Sequence, residues 1–320
     1  MKFLRCETVE KYKGKKIAII GAGPAGLFAA GYLVCKGWDV HIFDKMPEAG
    51  GLMIFGALDT SVNKEKIRKG IKELEKVGVI FHLGKKVDNK KFEELRKKFD
   101  AVLIATGAWK EKRLNISGEN LKGVYYAFDY IVNYHLYKYG YRKELPKLKG
   151  TTLVIGGGLT AVDACYIANE VGSKKILLSY RRRVEDSKAK NELLRLKEKG
   201  VELLELTVPV KMEGDSKVKN VVLAKTEIVE EEHKHVPKII EGSEFSVEVD
   251  NVLIAIGEIP TPAFRGIEID TNGKIRIDEK FRTNLEKVFA AGDVEQGPSF
   301  IGKAMLRGIK AAKAIEELLG

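Results

Sequence analysis

Ile17-Ala18-Ile19-Ile20-Gly21-Ala22-Gly23-Pro24-Ala25-Gly26 decides the reading of this chain. Four apolar residues read as a buried strand. The Ala- and Gly-rich run that follows, to Val34, reads as a helix. Three glycines at this spacing have separate uses. Gly21 permits the tight turn, Gly23 lets a pyrophosphate approach the backbone, and Gly26 lets helix and strand pack closely. The next strand, Val40 to Phe43, ends at Asp44, whose carboxylate suits ribose hydroxyls.

The pattern recurs. Thr152-Leu153-Val154-Ile155 leads into Gly156-Gly157-Gly158-Leu159-Thr160-Ala161 and a second small-residue helix. Ala161 stands where the third glycine would be. The following strand, Lys175 to Ser179, ends in Tyr180-Arg181-Arg182-Arg183 rather than an acid. A guanidinium there suits a 2′-phosphate, which a carboxylate would repel. Two strand–turn–helix–strand units predict an α/β fold with two Rossmann-like dinucleotide-binding domains. Ala101 to Ala105 before Thr106-Gly107, and Asn251 to Ile256 before Gly257, each add a strand. Between Glu202 and Val249 the alternation predicts an antiparallel meander.

A third motif lies near the carboxy terminus. Val288 to Ala291 ends in Gly292-Asp293, and Gly297-Pro298-Ser299 leads into a helix from Ile301 to Leu319. Because this motif follows the second nucleotide fold, the expected domains are 1–112 with 258–320, and 113–257 between them. The carboxylate of Asp293 suits a ribityl hydroxyl. The helix N-terminus after it suits negative charge.

Composition narrows the function classes. The 320 residues are 44% hydrophobic, ordinary for about two globular domains. No apolar run approaches the ~20 residues of a membrane span. The first sixteen residues lack a signal peptide's apolar stretch, so a cytoplasmic location is expected. Net charge is +11, with basic residues interleaved among acids, a pattern of solvated helix faces rather than a nucleic-acid stripe. Abundant Lys and Glu beside the single glutamine, Gln296, resembles a thermophile's usage. Cys6, Cys35 and Cys165 are sparse and scattered. They predict neither a disulfide framework nor a metal site, with Cys35 and Cys165 as buried packing residues.

The order of these motifs resembles the two-dinucleotide-binding-domain flavoproteins, in which a split FAD domain receives an inserted NAD(P) domain. Tyr180-Arg181-Arg182 and Glu241-Gly242-Ser243-Glu244-Phe245 make it more similar to the small, NADPH-oxidising subunit of glutamate synthase. The matching stretches cover roughly half the chain. The resemblance implies FAD contacts from Gly21, Gly23, Pro24, Ala25, Gly26, Asp44, Lys45, Gly51, Leu52, Thr106, Gly107, Gly292, Asp293 and Ser299. It implies NADPH contacts from Gly156, Gly158, Leu159, Thr160, Ala161, Arg181 and Arg182. It implies a hydride passed from NADPH to FAD, and electrons passed on to a partner protein or large subunit. No catalytic side chain is indicated, and homo-oligomer formation stays open.

The chain departs from that family in three places. One cysteine, Cys6, precedes the first strand, so no iron–sulfur cluster is expected. Ala57-Leu58-Asp59 replaces the family's Ile-Pro, and Asp186-Ser187-Lys188 stands near its Met-Pro. No Cys-x-x-Cys is present, which argues against a thioredoxin reductase. A ferredoxin–NADP reductase, a non-catalytic flavin-bearing subunit and a flavin-free nucleotide-binding regulator remain as alternatives.

Overall fold

The computed structural model describes residues 1–59, 61–231, 234–261 and 264–320. The chain forms two compact units. One comprises Met1–Lys110 and Glu258–Gly320, the other Glu111–Gly257. The first break falls two residues before the expected one after 112.

The first unit is built on a five-stranded parallel sheet. Its spatial order is Val288–Ala290, Ala101–Ile104, Lys16–Ile20, Asp39–Phe43 and Ile80–His82. All four pairings are parallel. The central strand is buried from Ile17 to Ile20, as expected of a strand covered on both faces. Helix Pro24–Cys35 buries ten of its residues, from Ala25 to Cys35 with Tyr32 excepted. The carboxy-terminal helix spans Ile301–Leu319 as its periodicity predicts, and packs on Pro24–Cys35. Its inward residues Ala304, Gly308, Ala311, Ala312 and Ile315 follow helical spacing. A Cβ on Gly308 would lie 2.1 Å from the Ala25 carbonyl oxygen, so the two helices meet backbone to backbone.

The second unit repeats the plan. Its parallel sheet runs Val124–Tyr126, Asn251–Ile254, Gly150–Ile155, Ser173–Tyr180 and Glu202–Glu205. Two features depart from expectation. Residues 124–138, which carry no expectation above, form an edge strand and the helix Ala127–Lys138. Glu202–Glu205 is not part of the meander but a parallel strand registered on Leu177–Tyr180. Its Glu-Leu-Leu-Glu pattern does not record whether the neighbouring strand runs parallel or antiparallel, so sequence could not separate the two. The antiparallel part begins at Thr207–Glu213 and continues through Asn220–Glu231, Lys234–Ile239 and Phe245–Glu248. Residues 232 and 233 of the expected meander lie outside the described residues.

The cysteine reading needs correction. Cys6 and Cys35 form a disulfide, with 5.7 Å between Cα atoms, while Cys165 is a buried free thiol. Cys35 is thus covalently engaged rather than a packing residue alone. The pairing depends on how the amino-terminal segment folds back over the first helix. Phe3 is fully buried against Phe28, and a Cβ on Gly31 would lie 2.2 Å from the Phe3 carbonyl oxygen. Burial pushes the Cys165 thiol far up, which keeps it protonated and inert.

The disulfide closes a loop between positions 29 apart. Chain-entropy reasoning assigns such a cross-link about 3–4 kcal/mol at 25 °C. Reduction, or Cys6→Ser, is expected to lower the unfolding free energy by about that amount. Denaturant titration with and without dithiothreitol measures it. Coincident curves for the two redox states would show that the cross-link adds no stability.

Candidate functional site

The first site forms where the central strand turns into helix Pro24–Cys35. Gly21 adopts φ +116° and donates its N–H to the Phe43 carbonyl at 2.8 Å. A Cβ there would lie 2.2 Å from the Ala105 carbonyl oxygen, and one on Gly26 would lie 1.9 Å from that of Gly21. Gly23 differs: a Cβ there meets nothing within 4 Å. It is the helix N-cap, Pro24 follows, and no side chain caps the end. The free amides and positive pole of this helix therefore face open space.

Asp44 organises the turn from beside it. Its Oδ2 accepts the Ala22 N–H at 2.6 Å and its Oδ1 the Met46 N–H at 2.8 Å. Burial raises its pKa from the ordinary carboxylate value, and the two N–H donors oppose that shift. The Gly50 N–H bonds the Ala22 carbonyl at 2.8 Å. Gly51, at φ +53°, approaches so closely that its Cβ would lie 2.8 Å from the Gly23 Cα. Leu52 begins the short helix Leu52–Phe55. Lys45 sits 3.8 Å above the Trp109 ring, whose indole N–H donates to the Thr106 carbonyl at 2.6 Å. Gly107 follows at φ +75°.

The Gly292-Asp293 motif reaches the same helix end. A Cβ on Gly292 would lie 2.8 Å from that of Ala25. Ser299 donates its hydroxyl to Asp293 Oδ1 at 2.6 Å, and Gln296 Nε2 donates to Ser299 Oγ at 2.8 Å. Burial raises the Asp293 pKa, opposed by the Ser299 contacts. Gln296 Oε1 is buried without a partner among the described residues. An orphaned acceptor beside the half-buried Asp293 carboxylate fits a hydroxyl-rich ligand. Gln296 and Trp109 were not foreseen as site residues. The only hint was that Gln296 is the sole glutamine.

In the second site Gly156 repeats the role of Gly21. It has φ +142°, and a Cβ would lie 2.1 Å from the Ala255 carbonyl oxygen. Gly158, the N-cap of helix Leu159–Glu170, is open like Gly23. Leu159 is exposed, Thr160 half-buried and Ala161 fully buried in the packing position. Gly157 is the crowded one: a Cβ would lie 2.2 Å from the Tyr180 ring, and its carbonyl accepts the Ser187 hydroxyl at 2.6 Å. Ser187 is a site residue the sequence reading noted only as a departure. Arg181 is exposed, with its carbonyl accepting the Thr226 hydroxyl at 3.1 Å. Arg182 is half-buried. Its Nη2 points to the His235 carbonyl at 3.5 Å, and its Nε lacks a partner among the described residues. The arginine turn is thus tied to the antiparallel hairpin.

Two parallel sheets, each turning through glycines into an uncapped helix, define a two-dinucleotide-binding-domain flavoprotein fold. The family model described as pyridine nucleotide-disulphide oxidoreductase matches residues 15–308. The chain is 35% identical over 321 residues to the glutamate synthase (NADPH) small chain of Halomonas elongata, covering 95% of this chain and 68% of that one. It is 32% identical over 324 residues to the Escherichia coli small chain, at 95% and 69% coverage. The chain belongs to the pyridine nucleotide-disulphide oxidoreductase family and, within it, to the relatives of the glutamate synthase small chain.

Solved structures share the fold. Mycobacterium tuberculosis FprA in complex with NADPH superposes with a TM-score of 0.80 at 20% identity, covering 96% of this chain and 84% of that one. Lactococcus lactis thioredoxin reductase gives 0.70 at 23% identity, with 95% and 99% covered. Among the described residues no helix is long and apolar enough to cross a membrane.

The glycines separate into packing and approach positions, and substitution should separate them too. Gly26→Ala is expected to destabilise the fold by about 1–3 kcal/mol through overpacking. Gly23→Ala and Gly158→Ala, at open N-cap positions, should cost less, under about 1 kcal/mol. Thermal or denaturant unfolding of the three variants checks this. Equal losses at all three would refute the division.

Proposed function

We propose that this protein is an FAD-dependent NADPH oxidoreductase that delivers electrons to a separate acceptor. The observation that carries this reading is the open backbone at Gly23 and Gly158. Each lies at an uncapped helix N-terminus, whose free amides and positive pole suit an anionic ligand. In this reading FAD belongs to 1–112 with 258–320, and NADPH to 113–257.

The residues divide the work of binding. The amides around Gly23 and the end of helix Pro24–Cys35 take the pyrophosphate of FAD. Asp44 accepts ribose hydroxyls on its remaining lone pairs, while Asp293 and Gln296 Oε1 accept ribityl hydroxyls. Gly51 and Leu52, with Thr106, Gly107 and the Lys45–Trp109 pair, wall the same cradle. The amides at Gly158, Leu159 and Thr160 take the pyrophosphate of NADPH, and Arg181 and Arg182 its 2′-phosphate. The cofactor, when bound, supplies a carrier that takes two electrons from NADPH and releases them singly or in pairs. No acid–base side chain is assigned, because hydride exchange depends on placement more than on proton transfer.

The acceptor reaches the flavin from outside the chain. The named relatives are small chains, which supports a larger partner chain. A net charge of +11 favours an acidic partner, through association that slows as salt rises. A cytoplasmic, thermophilic setting accounts for one disulfide in a Lys- and Glu-rich chain, since hyperthermophile cytoplasm tolerates disulfides.

Anaerobic NADPH should bleach the yellow holoprotein. Arg181→Ala with Arg182→Ala should weaken NADPH use by roughly ten- to hundredfold, given ~1.5–3 kcal/mol for a charge-assisted phosphate contact. NADH use should hold nearly constant. Parallel loss with both nucleotides, in steady-state assays, would mean that the arginines serve only the fold. The pure chain should also reduce artificial dyes yet form no glutamate from glutamine and 2-oxoglutarate. Robust glutamate formation by the chain alone would overturn the view of it as an electron-input module.

A further inference from the structure

The second unit holds a cavity that the nucleotide reading leaves unused. Its volume is about 910 Å³, the size of a small-molecule site. It lies at the amino-terminal ends of the parallel strands, where Gly150 opens one strand and Lys174 lies at the start of the next. The glycine turn at Gly156 is at the opposite end of the strand, roughly 20 Å away at 3.3 Å per residue.

Four lysines converge on this cavity: Lys147, Lys149, Lys174 and Lys217. They come from three separate segments, and all are exposed. None of the four has an ion pair among the described residues, unlike Lys175 with Glu202 and Lys219 with Asp215. The two carboxylates in the wall are already engaged. Glu170 accepts the Tyr134 hydroxyl, and Asp250 Oδ2 accepts the Thr151 N–H at 2.8 Å. Four lysines against two carboxylates give the lining residues a formal charge of +2. Tyr137, Leu145 and Pro146 supply a less polar wall, which focuses that field.

We propose that this cavity binds a small polyanion, phosphorylated or polycarboxylate, at a site distinct from the nucleotide turn. Helix Leu159–Glu170 links the two places. It begins at the pyrophosphate turn and ends at Glu170, in the cavity wall. The negative pole of that helix end opposes an anion, so the surplus of lysines is what makes binding favourable. Affinity therefore falls as salt rises.

The test is calorimetric titration of the flavin-loaded full chain, saturated with NADP+, using tripolyphosphate in one arm and citrate in the other. Saturable binding in either arm is expected. The arm that binds more tightly identifies the chemistry. Lys149→Glu with Lys174→Glu turns the local charge from +2 to −2 and should weaken that binding about tenfold or more, with flavin content unchanged. Lys149→Arg with Lys174→Arg should retain it, which separates charge from folding. The proposal falls if neither probe binds or if the charge-reversed variant binds equally well. It also falls if the probe binds the NADP+-free chain but not the saturated one, which would place binding at the nucleotide turn.

Discussion

The first unit depends on backbone meeting backbone around one helix end. The Ala105 carbonyl crowds Gly21, the Gly21 carbonyl crowds Gly26, the Ala25 carbonyl crowds Gly308, and Ala25 itself crowds Gly292. Each contact leaves no room for a Cβ. Together they draw the central strand, its neighbour, the first helix and the carboxy-terminal helix onto a single point. Side-chain packing could not bring these elements so close, because even alanine would hold them apart. The open position at Gly23 exists because its neighbours are so tightly shut.

The two sites share this construction but differ in charge. At the first, the adjacent strand ends in Asp44, buried and fed by two backbone N–H groups. At the second, it ends in arginines joined by hydrogen bonds to Leu206 and to the antiparallel segment at Thr226 and His235. A carboxylate suits hydroxyls and a guanidinium suits phosphate, so one backbone plan presents two different charges. Burial strains Asp44 and Asp293 toward protonation. Hydroxyl donors from a bound ligand would relieve that cost, and so the binding energy and the ionisation of these groups are coupled.

The two ends of the strands in the second unit differ in charge and shape. Gly156 to Thr160 and the arginine turn lie at the carboxyl ends, where open α/β sheets take their ligands. The amino-terminal ends carry lysines instead, around a cavity. The antiparallel segment from Thr207 to Glu248 reaches the nucleotide end through Thr226 and His235.

The sequence by itself determined the two dinucleotide folds, the two glycine turns, the strand ends at Asp44 and at the arginine pair, and the carboxy-terminal helix. These are legible because strand and helix periodicity, glycine spacing and strand-end charge are local properties of the chain. Only the tertiary structure decided that Glu202–Glu205 joins the parallel sheet, since the polarity pattern of an edge strand does not record the direction of its partner. It also decided that Cys6 meets Cys35, that Ser187 and Tyr180 hold Gly157, and that Gln296 Oε1 is left open beside Asp293. Each of these joins residues far apart in the chain or turns a side chain toward a partner. Such contacts depend on how the loops close over the sheets, and spacing along the chain carries no measure of that closure.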